Sequence, residues 1–109
     1  MLIVSCSRRK HNAPGLIRAI ERYNGSTFFV IRRFLRQKPA ELLDIYILSA
    51  EFGLISSEQM IPNYDHRMTQ AQAEQLQPKV IGELQQIFNK KQYQKLLICV
   101  SRDYLQALK

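Results

Sequence analysis

Three short stretches with apolar cores constrain this chain more than anything else in it: Leu2–Ser5, Asp44–Ala50 with Ile45, Ile47 and Leu48 as its core, and Leu96–Val100. Runs of this length without polar alternation are what strands look like when both faces are covered. The segments between them have helical spacing. Ala13-Pro14 suits a helix entry, Leu16, Ile17, Ile20 and Tyr23 recur along it, and Asn24-Gly25 ends it. Ser26 or Thr27 can cap a second helix carrying Phe28, Val30, Ile31, Phe34 and Leu35, with Pro39 closing it. Thr69 and Gln72 make a capping box for a third, whose stripe is Ala73, Leu76, Val80, Ile81, Leu84, Ile87 and Phe88. Pro78 inside that stripe predicts a kink or break. Strands alternating with helices predict an α/β fold: a small three-layer domain with a short, mainly parallel sheet of at least three strands and flanking helices.

Nothing divides residues 1–109, so a single domain is predicted. The chain stops soon after its third apolar run. Either the sheet has an exposed edge, or a partner such as a second copy completes it, or the C-terminal part of a longer domain is missing. Residues 102–109 read as a fragment of another helix. No apolar run approaches the roughly 20 residues that span a bilayer, and MLIVSC lacks the form of a signal peptide. Cys6 and Cys99 are far apart, which argues against a disulfide framework. These features predict a cytoplasmic protein with reduced thiols and no membrane partner. Cys99, among Leu97, Ile98 and Val100, is read as core.

Charge is unevenly spread. Of sixteen Lys and Arg residues, nine lie in residues 1–38 against one acid, Glu21, whereas residues 39–109 are nearly neutral. A basic half predicts a phosphate-bearing partner, whether nucleic acid or a nucleotide.

Two segments carry candidate chemistry. Ser5, Cys6, Ser7, Arg8, Arg9 and Lys10 follow a strand and precede a helix, where hydroxyls, backbone N–H groups and cations suit a phosphate. There is no glycine-rich phosphate loop or dinucleotide pattern, and no cofactor is predicted. Cys6, beside cations, is a candidate reactive thiol. The second segment is a long loop from Gly53 to Met68 that ends in Tyr64, Asp65, His66 and Arg67. An aromatic ring beside charge suits a nucleobase, and Asp65 or His66 are candidate catalytic groups that could activate water. Arg32, Arg33 and Arg36 extend the cationic face along the second helix. Cys6, His11, Asp65 and His66 lack zinc-type spacing, so no metal site is predicted.

LIVSCSRRK at 2–10, Tyr23–Phe28 and LSAEFGLISSEQMIPNYDHRM at 48–68 resemble a small bacterial domain family of unknown function. The same residues are more distantly similar to the peroxide stress resistance proteins, which share a similar Leu-Ser, aromatic-Gly, Pro-Tyr and terminal Met. That resemblance implies an α/β fold with a site at the strand-end loops, and a link to DNA binding and protection from oxidative damage. Asn63 is inserted before Tyr64, and Asp65-His66-Arg67 replaces a differently ordered Arg/acid pair.

The leading expectation is a basic domain that binds nucleic acid or a nucleotide through strand-end loops. Alternatives are an enzyme acting on a nucleotide or nucleobase, and a non-catalytic interaction domain or fragment.

Overall fold

The computed structural model describes residues 1–7, 10–37, 44–64, 69–91, 96–100, 104 and 108. The elements, in chain order, are β1 (Leu2–Ser5), β2 (Ile17–Arg18), α1 (Ala19–Arg22), α2 (Ser26–Gln37), β3 (Ile45–Ser49), β4 (Gly53–Ser56), β5 (Met60–Ile61), α3 (Gln70–Lys90) and β6 (Leu97–Cys99). Four strands form a mixed sheet in the order β4-β3-β1-β6. β1 runs parallel to β3 and β6, while β3 and β4 form an antiparallel hairpin. The α/β architecture expected from the apolar runs is the one observed.

β1 and β3 are central because their residues are buried on both faces. Successive strand residues point to opposite sides of a sheet. Ile3 and Val4 are both buried, as are Ile47 and Leu48, and each such side chain contributes about 1.5–3 kcal/mol. α3 packs on β4, with Ala73 and Val80 buried and Leu76, Leu84 and Ile87 joining the core. Its N-cap is Thr69, whose hydroxyl accepts from the Gln72 amide at 3.1 Å. The Gln72 side chain reaches across to the Ala50 carbonyl at 3.0 Å, pinning the helix start to the end of β3.

Four expectations are corrected by the structure. Residues 17–18 are a strand that pairs antiparallel with β5, and only Ala19–Arg22 are helical. The loop expected from Gly53 onward begins instead as β4, because Gly53 at φ +79° is the pivot of a hairpin. Of the kink or break expected at Pro78, the break is absent: the third helix continues from Gln70 to Lys90. β6 is not an interior strand: Leu97 and Ile98, on opposite faces, are 60% and 48% exposed, and Cys99 is exposed too. Residues 102–109, expected to be helical, fall within the described residues only at Tyr104, which is helical, and Leu108.

Candidate functional site at the carboxyl edge of the sheet

The carboxyl ends of parallel strands are where an open α/β sheet leaves a crevice. Here those ends are Ser5 of β1 and Ser49 of β3. The Ser49 hydroxyl is buried and accepts from the amides of Glu51 and Phe52, both at 3.1 Å, which closes the turn into β4. The Tyr23 hydroxyl donates to Ser49 Oγ at 3.3 Å, and the Tyr64 hydroxyl lies 3.0 Å from Ser49 Oγ and 2.6 Å from the Tyr23 hydroxyl. Three hydroxyls from three segments thus share a triangle of hydrogen bonds. Burial pushes the Tyr23 phenol up to about 12, against the opposing effect of its bonds to Ser49 and Tyr64. Burial raises Tyr64 as well, with Cys6 adding in the same direction. Both phenols therefore stay neutral at physiological pH and act as hydrogen-bonding struts.

The triangle fixes the Tyr64 ring. Phe52 packs edge-on against it at 5.3 Å, and the Lys10 ammonium sits 4.5 Å from its centroid, a cation–π distance. The loop after β1 is sewn to the segment after α1. Ser7 Oγ accepts from the Asn24 and Gly25 amides at 3.1 and 3.2 Å, and Lys10 and Tyr23 form an isolated antiparallel bridge. A Cβ on residue 25 would stand 2.8 Å from Ser7 Cβ, so only glycine allows this approach. Cys6 is buried, its amide donates to the Leu48 carbonyl, and its sulfur lies 2.9 Å from the Tyr104 hydroxyl.

A family model described as "Family of unknown function (DUF6884)" matches residues 1–109. The chain belongs to that family. No curated protein and no solved structure matches it.

In this DUF6884 chain the described parts of the two candidate segments meet where Lys10 lies over Tyr64, while Ser7 holds the Asn24 and Gly25 amides beside them. Arg8, Arg9, Asp65, His66 and Arg67 lie outside the described residues. The basic residues of the first third serve different ends. Arg22 is fully buried, and its guanidinium donates to the carbonyls of His11, Ala13, Gly15 and Ile61 at 2.6–3.3 Å, tying the loop after β1 to β5. Arg18 pairs with Glu21 and Glu58. Arg32 donates to the Ile20 and Tyr23 carbonyls at 2.8 and 2.9 Å and to Asn24 Oδ1 at 3.2 Å. Arg33 and Arg36 are exposed on α2. Among the described residues no group of three His, Cys, Asp or Glu could hold a metal, and no helix is long and apolar enough to cross a membrane. Sequence reasoning passed over Ser49, Tyr23 and Tyr104. The first two sit in the segments that carry the family resemblance, a signal that those stretches hold more than loop.

Proposed function

We propose that this domain binds a phosphate-bearing ligand, a nucleotide or nucleic-acid backbone, at the rim formed by the loop after β1, the start of α2 and Tyr64. The observation that carries the reading is Lys10, held over a tyrosine ring that is itself fixed by Ser49 and Tyr23 at the strand ends. A cation positioned this way loses little freedom when it meets an anion, which is the physical advantage of preorganisation. The Tyr64 face under Lys10 is taken, so in this reading Tyr64 positions the cation and does not itself stack a base. The net charge of +7 draws polyanions toward the surface. A role in protection from oxidative damage rests on the resemblance of residues 48–68 alone.

The test is titration with a fluorescent nucleoside triphosphate at low salt, comparing the protein with Lys10→Ala. Affinity is expected to fall about fivefold or more with the thermal midpoint unchanged, in keeping with the loss of one charge-assisted contact. Equal affinity in the variant, or no binding at low salt, contradicts the reading.

A further inference from the structure

We infer that the outer side of α2 is a track for single-stranded nucleic acid leading away from the rim, with Phe29 stacking a base and Arg33 and Arg36 meeting phosphates. The inference rests on the phosphate-binding reading of the rim and adds the class of ligand. α2 starts one residue after Gly25, whose amide Ser7 holds, so the helix begins at the rim and extends about 18 Å from it.

Phe29 is 52% exposed, with Val30 and Phe34 exposed beside it, so α2 presents an apolar patch. The Arg32 guanidinium carbon lies 5.0 Å from its ring centroid. Arg32 is anchored on the Ile20 and Tyr23 carbonyls and on Asn24. One side of the ring is thereby backed by a fixed cation while the other meets solvent. That is a preorganised stacking platform.

Phe29, Arg33 and Arg36 are spaced i, i+4 and i+7, which places them along one side of the helix. Arg33 and Arg36 are exposed, neither is in an ion pair among the described residues, and α2 holds no acidic residue. Aromatic and cationic groups in line suit a flexible strand with exposed bases; a paired duplex offers no free base face to the ring. A lipid surface fits less well. Arg33 lies between Phe29 on one flank and Val30 and Phe34 on the other, so the outermost line of the helix is charged where an interfacial helix is apolar.

The experiment measures anisotropy of a labelled thymidine dinucleotide, a ten-nucleotide thymidine oligomer and a ten-base-pair duplex, with sedimentation on vesicles of phosphatidylserine and phosphatidylcholine. The ten-nucleotide oligomer is expected to bind at least tenfold tighter than the dinucleotide, and more tightly than the duplex. Phe29→Ala is expected to weaken the oligomer about tenfold, leave the dinucleotide within twofold and keep the thermal midpoint, while Phe29→Trp retains binding. Arg33→Gln with Arg36→Gln is expected to flatten the salt dependence by about 1.4 in log–log slope. If the two oligomers bind alike, or Phe29→Ala leaves the longer one unchanged while Lys10→Ala weakens both, the track is overturned and the rim reading stands. If nothing binds at low salt, both fall. A preference for the duplex, or a Phe29→Ala defect confined to vesicles, overturns the track in favour of those partners.

Discussion

At Ser49 one hydroxyl serves two backbone amides and two phenols, so its removal reads out how much the rim depends on that junction. Ser49→Ala leaves the Glu51 and Phe52 amides without their acceptor, and the expected loss is about 1–3 kcal/mol, measured as a shift in urea midpoint at constant slope. A change below about 0.5 kcal/mol would contradict that role. Gly53→Ala is expected to destabilise as well. Its backbone has φ +79°, and a Cβ there would sit 2.6 Å from Glu83 Oε1, whose bond to the Leu54 amide it would disturb. The tyrosines give a pH signature. Unfolded Tyr23 ionises near 10 and the folded residue near 12, so between those values the unfolded state binds fewer protons and stability falls as pH rises. The contribution is fully present below pH 10 and is lost by about pH 12, and that difference corresponds to on the order of 2–3 kcal/mol. Tyr64 shifts in the same direction. Urea midpoints at pH 9 and pH 11 check the sign; a midpoint that rises with pH would refute it.

Among the elements, β1 and β6 separate what the sequence could show from what it could not. β1 and β6 read alike as apolar runs, yet β1 is central and β6 lies at the end of the sheet order. Hydrophobicity reports a strand's preference for cover, not whether the rest of the chain supplies it. Thiol labelling under native conditions is therefore expected to modify Cys99 fast and Cys6 only on unfolding; equal rates would contradict the strand order. Ile98→Lys is likewise expected to cost under about 0.5 kcal/mol, against several for Ile3→Lys. β1, β3, α2 and α3 were legible because each carries its own periodicity or apolar run. β2 and β5 were not, since a two-residue bridge is specified by its partner and has no pattern of its own. β4 was hidden by Gly53, which breaks a strand in the linear reading and turns a hairpin in the folded chain. Lys10 lying over Tyr64 agrees with the expectation that the two segments meet; the Ser49 junction was not foreseen, because a buried serine at a strand end looks like any other small polar residue.

For the whole molecule, the basic charge of the first third is less available than its count implies. Arg18, Arg22 and Arg32 are engaged by the protein's own carboxylates and carbonyls. Arg33 and Arg36, exposed along α2, are in no ion pair among the described residues, and with Lys10 at the rim they are expected to make binding weaken with salt at a log–log slope of about −2. The proposal is one of place: a phosphate-bearing ligand is expected at the carboxyl edge of β1 and β3. The most direct measurement is an amide chemical-shift titration with a nucleoside triphosphate at low salt. The account predicts shifts clustered at Ser7, Lys10, Asn24 and Tyr64. No shifts, or shifts confined to α3 and β6, would contradict it.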